Sequence, residues 1–404
     1  MQADAADMSQ VSGPQLHVQA VIQGLRKRGH RVRLVAIQGG QTLWTDDLEH
    51  WQPGAFGFSQ SRPFRLVESA LRGIQSRLRL PFLRLFDSYR FSEACVAALR
   101  GYDVLYERYG LLSTGGLMAA KRLGVPLVLE VNGDHVGEYQ SLGIRLSRLQ
   151  WTAVRLIARY LFRHATRLVA SGEGLRDQLV GRWAVRSSKI AVIANGTDYG
   201  LFAAPRDPAA IRDKYDLGQG PIVVYVGGFH PWQGVDVLIA ALAGVRREDE
   251  HASLVLVGDG TERSQAERQV ADLGLGGAVR FLGARSPGEV AEVLSASAVA
   301  VAPYKRQAET TGMKIFDYMA AGKAIVASAW GGRHSVLTHM ETAVLVQPGD
   351  PGQLADAILL LLRDDALRAR LGGNAQALAA RAYTWDHTAA SVEDLCLAAL
   401  KPRT

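Results

Sequence analysis

Apolar positions in this chain alternate between two spacings. Val18, Val21, Ile22 and Leu25 recur at i, i+3, i+4 and i+7, the face of a helix. Gly29 stops that helix, and an apolar run over 32–37 predicts a buried strand. Further short apolar runs predict strands at 104–106, 127–131, 168–170 and 190–193. Helical stretches at 116–122 and from Glu173 separate them, with a basic helix before 168. Asn195 to Asp198 reads as a turn, and the prolines of 203–207 mark a linker.

The plan then repeats. A strand at 222–226 runs into Gly227-Gly228, and Gly234 opens a helix carrying Val235, Leu238, Ile239 and Leu242 on one face. Strands follow at 254–257, 299–302, 324–328 and 344–346, and Ser286-Pro287-Gly288-Glu289 spells a capping box with proline at the first helical position. A helix after Asp350-Pro351 aligns Leu354, Ile358 and Leu361, and a last helix covers 386–400. Strands alternating with helices predict mostly parallel sheets wound on both faces. The expected fold is therefore α/β: two doubly wound, Rossmann-like domains facing across a cleft. They would be an N-terminal domain at 1–203 and a C-terminal domain at 204–385. A helix at 386–404 would pack back towards the first.

The stretch 303–322, PYKRQAETTGMKIFDYMAAG, carries the candidate chemistry. It reads as a strand ending at Ala302, a polar loop, a helix opening near Thr311 or Gly312, and a glycine stop at Gly322. A loop at the carboxyl end of a strand that feeds a helix amino terminus is where open α/β sheets bind ligands. Glycine at 312 lets backbone amides approach an anion, and the helix dipole favours negative charge there. Glu309 and Asp317 flank that position, and carboxylates accept hydrogen bonds from hydroxyl groups. An anion with hydroxyls on either side describes a nucleotide sugar. A solvated loop with a surface Asp is the plainer reading of the same residues.

Length and composition fit a soluble protein of two domains: 404 residues, 48% hydrophobic and 21% charged. Cys95 and Cys396 are the only cysteines and stand in no metal-ligand spacing, which fits a reducing compartment. No apolar run reaches a membrane span, and the start, MQADAADMSQ, lacks the regions of a signal peptide. A cytoplasmic protein, at the inner face of the membrane, is expected.

The net charge of +7 is unevenly placed. Between Tyr139 and Gly172 there is no acid, while Arg148, Arg155, Arg159 and Arg163 interleave with Leu149, Trp151, Leu156 and Leu161. A second arginine-rich stretch runs over 62–90. Basic amphipathic helices lie well on anionic membranes, so peripheral membrane docking is one reading, against simple solvated arginines. No nucleic-acid motif accompanies the charge.

Taken in order, several segments are similar to family 4 of the glycosyltransferases, retaining enzymes of the GT-B fold. They are GPQLHVQAVIQGLRKRGHRV, YERYGLLSTGGLMAAKRLGVPLVLEVNG, IANGTDYGLF, YVGGFHPWQGVDVLIAAL, LVLVGDGTE, VRFLG and ETTGMKIFDYMAAGKAIVAS. YERY and LEVNG resemble bacterial members that assemble exopolysaccharide or lipid-linked sugars. The resemblance implies that Asp317 holds ribose hydroxyls, Glu309 the hydroxyls of the transferred sugar, and the amides of Gly312 and Met313 a diphosphate. It places backbone at Arg280, Phe281 and Leu282 on the base and Gly13 near donor phosphates or acceptor. Asn132 stands where many members carry a His, and Gly227, Gly228 and His230 face the leaving diphosphate. The implied donor is a nucleotide diphosphate sugar, with no separate cofactor and no metal.

Two departures stand out. Many members carry an Arg and a Lys where this chain has Gly228 and Gln233. Losing one preorganised donor to a developing charge costs about 3 kcal/mol, and a helix terminus contributes at most ~2. Another cation is therefore needed, from Lys314, Lys305, Arg306 or His230, with Lys314 preferred because it follows the anion-binding amides. The second departure is the absent strand before Ser12, whose loss would split the sheet. A natural start upstream, or poor order over 1–11, is expected.

The expected function is retaining transfer of a hexose from a nucleotide diphosphate sugar to a hydroxyl of a lipid-linked or glycan acceptor, in polysaccharide or glycolipid assembly. The alternative, motivated by Gly228 and Gln233, is a catalytically impaired GT-B protein serving as a scaffold in a polysaccharide complex. A GT-B sugar epimerase is a third. His135 and Glu138 are candidate acceptor contacts or solvated, Tyr304 and Trp232 border a base or pack, and His30 is structural.

Overall fold

The computed structural model describes residues 13–77, 85–133, 147–305, 312–329 and 336–401. The expectations for 1–11, His135, Glu138, Arg306 and Glu309 lie outside them. The chain divides into two compact units, one reaching Ala194 and resuming at Thr388, the other Asn195–His387.

In the first unit, α1 (Gly13–Lys27) buries Val18, Val21 and Ile22 as its spacing requires. It leads into β1 (Leu34–Gln38), β2 (Gln41–Thr45) and β3 (Gln52–Pro53), an antiparallel set. The first two form a hairpin that the apolar run alone does not announce. Gly39 and Gly40 both take positive φ, +55° and +77°, as a two-residue turn between right-twisted strands demands.

Helices α2 (Arg62–Arg77) and α3 (Leu85–Ala98) follow, then β4 (Leu105–Arg108), α4 (Gly115–Leu123) and β5 (Leu127–Val131). Next come α5 (Arg148–His164), β6 (Arg167–Ala170), α6 (Glu173–Gly181) and β7 (Ile190–Val192). β4 to β7 are parallel and neighbours in chain order. Among the described residues no strand joins them to the hairpin set. Leu127, Val128 and Leu129 are almost wholly buried, as a strand covered on both faces must be.

The second unit opens with α7 (Tyr199–Ala203) and α8 (Pro208–Tyr215). Its sheet comprises β8 (Ile222–Val226), β9 (Ser253–Val257), β10 (Val279–Gly283), β11 (Val299–Ala302), β12 (Ala324–Ser328) and β13 (Val344–Val346). All are parallel, in the order β10-β9-β8-β11-β12-β13. The helices α9 (Val235–Glu248), α10 (Arg263–Asp272), α11 (Pro287–Ala296) and α12 (Met313–Ala320) connect the strands, followed by α13 (Pro351–Arg363) and α14 (Asp365–Ala382).

The order reverses between β8 and β11, which makes their carboxyl ends the switch point of a doubly wound sheet. The ladder between these two strands stops early, at Ala300 opposite Val224. Beyond it the phenol of Tyr318 takes the place of direct pairing. It accepts from the Val226 amide at 2.8 Å and donates to the Val301 carbonyl at 3.3 Å. A fully buried tyrosine from α12 thus splays the two strands where a ligand would enter.

Helix α15 (Trp385–Leu400) begins in the second unit and, from Thr388, belongs to the first. There Val392 and Ala399 pack with Val21, Val128, Val169 and Ile193. Glu393 binds Arg28 and, at 2.6 Å, the His30 imidazole, which gives His30 its structural role.

Candidate active site

The second unit gathers Gly227, Gly228, His230, Gln233, Gly312, Met313, Lys314 and Asp317 at the switch point. Gly227 and Gly228 end β8, and Gly234 brings the following loop back against β11. It has φ +73°, and a Cβ there would meet the Pro303 carbonyl oxygen at 1.7 Å, so only glycine fits. That approach carries Gln233 inward. Its side-chain oxygen accepts from the Lys314 ammonium at 2.6 Å. The ammonium also donates to the Tyr225 hydroxyl at 3.1 Å and lies over the Tyr225 and Tyr304 rings.

Lys314 is buried, and burial lowers its pKa to about 7. No carboxylate pairs with it among the described residues. Lys305, the other described lysine of this loop, is neutralised by Asp236 at 2.7 Å. His230 stacks on Trp232, ring centroids 4.8 Å apart.

Helix α12 opens at Gly312, whose extended backbone offers no side-chain cap, so among the described residues the amides of Met313 and Lys314 have no capping side chain. Its sequence explains its depth. Lys314, Ile315, Phe316, Tyr318, Met319 and Ala320 are all buried, a helix apolar nearly all round. Gly312 also makes room for Tyr304, since a Cβ there would lie 2.3 Å from the phenol oxygen. That oxygen is buried with no hydrogen-bond partner among the described residues. Amides, an ammonium and an unsatisfied phenol converge on one spot, the donor set an anion requires.

Asp317 lies one turn further along α12. It accepts from the Thr197 hydroxyl at 2.7 Å, which leaves its second oxygen for another donor. Burial pushes its pKa up to about 7, against the lowering effect of that hydrogen bond.

Arg280, Phe281 and Leu282 stand apart from this cluster, two strands from β8 at the edge of the sheet. The Arg280 guanidinium is engaged by Asp216, through its carboxylate and, at 2.9 Å, its carbonyl. The register slips between Phe281 and Gly283, so Leu282 is an extra residue in the ladder and its backbone is released.

Gly13 and Asn132 belong to the first unit, at the head of α1 and the end of β5. With its amide oriented to satisfy both ends, Asn132 donates to Glu130 at 3.0 Å and accepts from Arg108 at 2.8 Å. Arg108 donates onward to the Pro14 carbonyl at 3.0 Å. His17 sits 2.7 Å from Glu130. Burial alone would raise the Glu130 carboxyl, but the His17 charge and hydrogen bond, together with Arg108, hold it at about 2. Nearby on β4, Glu107 is pushed up to about 8 by burial and is neutral at pH 7.

Sequence reasoning missed Tyr225, Tyr318, Thr197, Glu130 and Arg108. The tyrosines read as core residues of an apolar run, and their hydroxyls acquire roles only when α12 crosses the strand ends. Among the described residues no three His, Cys, Asp or Glu side chains converge as a metal would need.

Comparison with known proteins places this architecture. A family model described as "Glycosyl transferases group 1" matches residues 207–378, and "Glycosyl transferase 4-like domain" matches 12–196. A D-inositol 3-phosphate glycosyltransferase of Actinosynnema mirum is 30% identical over 303 residues, which cover 72% of this chain and 71% of the relative. The chain belongs to the family 4 glycosyltransferases. A second enzyme of that name, from a Nocardioides species, is 30% identical over 73% of this chain and 67% of its own.

Among solved structures, sucrose-phosphate synthase from Thermosynechococcus elongatus superposes with TM-score 0.72 at 23% identity. The match covers 95% of this chain and 93% of that one. Anabaena HepE, solved in complex with UDP, gives 0.66 at 23% identity over 76% and 82%. At such identities the likeness speaks for the GT-B fold, and this family 4 enzyme has its two Rossmann-like domains.

Proposed function

We propose that this glycosyltransferase moves a hexose from a nucleotide diphosphate sugar to a hydroxyl of a lipid-linked or glycan acceptor, with retention of anomeric configuration, in polysaccharide or glycolipid assembly. The carrying observation is Lys314: a buried ammonium whose partners among the described residues are all neutral, beside a helix head that Gly312 does not cap. A diphosphate supplies the missing counter-charge. Gln233 and Tyr225 hold the ammonium in place, Gly227 makes room for it, since a Cβ there would lie 2.8 Å from its Nζ, and the Met313 amide and the Tyr304 hydroxyl complete the donor set.

As the bond from C1 to the diphosphate oxygen breaks, negative charge grows on that oxygen. Lys314 and the helix amides are already oriented towards it, which lowers the barrier without reorganisation. The acceptor oxygen then bonds to C1 on the face just vacated, and its proton passes to the departing phosphate oxygen. Asp317 accepts from the ribose hydroxyls through the oxygen Thr197 leaves open, and the edge backbone at Leu282 is available to the base. Asn132, fixed by Glu130 and Arg108, contacts the transferred sugar, and Gly13 lets the head of α1 approach the donor or acceptor.

HepE was crystallised with UDP, which favours uridine as the first base to try. The relatives are named for an inositol phosphate acceptor, so a soluble phosphorylated polyol is the second acceptor class to screen. A thermal-shift panel of nucleoside diphosphates and their sugars tests the donor site, since specific ligands raise Tm by mass action. No shift with any of them would sink the reading. Donor hydrolysis without acceptor then reports catalytic competence.

A further inference from the structure

Helix α2 is inside out. Its buried positions are Phe64 and Glu68, while Leu66, Val67, Leu71 and Ile74 face solvent, Leu66 with 64% of its surface exposed. Phe64 explains part of the inversion, because its ring packs edge-on against Phe58 and Phe86. Glu68 explains the rest: Arg90 of α3 and Arg72 grip its carboxylate. The only acid of α2 is thereby neutralised inside, and the outer face keeps an apolar row flanked by Arg62, Arg65 and Arg77.

Helix α5 repeats the device by other means. It buries Val154, Ala158, Leu161 and Phe162 yet leaves Leu149, Leu156 and Tyr160 exposed, with Arg148, Arg155, Arg159 and Arg163 beside them. It carries no acid at all. The two helices are linked through α3 and α4. α2 is ion-paired to α3 through Glu68 and Arg90, α3 packs along α4, and Lys121 of α4 donates to Tyr160 at 2.8 Å.

We infer that the outward faces of α2 and α5 dock this protein on an anionic lipid bilayer. Seven exposed arginines, none ion-paired among the described residues, meet no acid on either outer face. A protein partner would need a matching acidic rim around an apolar centre, whereas an anionic headgroup layer over acyl chains offers both together. Leucine, valine and isoleucine would enter the boundary region. The arginine stems would lie along it with their guanidinium groups among the phosphates. No helix among the described residues is long and apolar enough to cross a membrane, so the contact is peripheral. Its purpose, meeting a lipid-linked acceptor, rests on the proposed function, but its physics does not.

Flotation of the full chain tests this, with vesicles of phosphatidylcholine alone or mixed with phosphatidylglycerol. Binding is expected to the anionic vesicles only and to weaken with salt. The pair Leu66→Glu/Ile74→Glu and the pair Arg155→Glu/Arg159→Glu should each lower it by about tenfold or more. Both leave the thermal shift with a nucleoside diphosphate unchanged, which separates docking from folding and from the donor site. Indifference to lipid charge, or variants that float like the parent chain, would overturn the inference. So would a dimer in solution that Leu66→Glu converts to a monomer while vesicles stay unbound.

Discussion

The Lys314 ammonium and the Gln233 side-chain oxygen lie 2.6 Å apart, from positions 81 residues distant in the chain. Many family members are expected to carry a lysine where Gln233 stands. Here the lysine of α12 meets the loop at that position, and under the proposed function it supplies the charge from there.

This exchange makes a paired prediction. Lys314→Met should lower turnover by about 100-fold, the cost of about 3 kcal/mol for one preorganised donor. Gln233→Lys by itself should be harmful, because it sets two ammonium groups in contact. The double exchange Gln233→Lys/Lys314→Gln should recover most of the activity. Steady-state kinetics of the three variants check it, and a double exchange no better than the singles would refute it.

Lys314 also sets a pH dependence. Its folded pKa, about 7, lies below the ordinary lysine value of 10.5. Below pH 7 the ammonium is already present, so diphosphate binding takes up no proton. Above pH 7 binding must draw one from solvent, and Kd should rise by up to about tenfold per pH unit. Calorimetric titration of a nucleoside diphosphate across pH 6 to 9 would show the bend; Lys314→Met should be flat.

Asp317 trades stability for binding. Its folded pKa, about 7, lies above the ordinary 3.8, so the folded state holds a proton that the unfolded chain releases. The penalty therefore grows from pH 4 to pH 7 and is fully present above. Asp317→Asn keeps an acceptor for Thr197 and should raise Tm at pH 8, with the gain vanishing towards pH 4. The same variant should lose nucleoside diphosphate affinity. A lower Tm at pH 8 would contradict this account.

Tyr318→Phe leaves the Val226 amide without its partner between β8 and β11. An unsatisfied buried donor costs about 1–3 kcal/mol, and a domain of this size loses about 2–4 °C per kcal/mol. An unchanged melting temperature would show that the splayed strands close without the phenol.

Much of the second unit was legible in its residues. Apolar runs at 222–226, 299–302, 324–328 and 344–346 are strands in the structure, and α12 opens one or two residues after its expected start. Helix α14 was not anticipated, because its many alanines and paired glycines give no strong apolar stripe. The strand expected at 32–37 is β1, while its hairpin partner β2 has no expectation behind it. The pairing of Arg280 with Asp216 was invisible too, since neither residue carries a spacing signal.

Sequence by itself determined most strands, most helices, the glycine-rich loops and the family, because burial of one face imposes a period that survives in one dimension. Tertiary structure alone decided that Lys314 meets Gln233 and Tyr225, that Tyr318 parts the strand ends, and that α2 turns its leucines outward. Those outcomes depend on which polar groups find partners through space. Glu68 goes inward because Arg72 and Arg90 are there to meet it, and no periodicity records such a meeting.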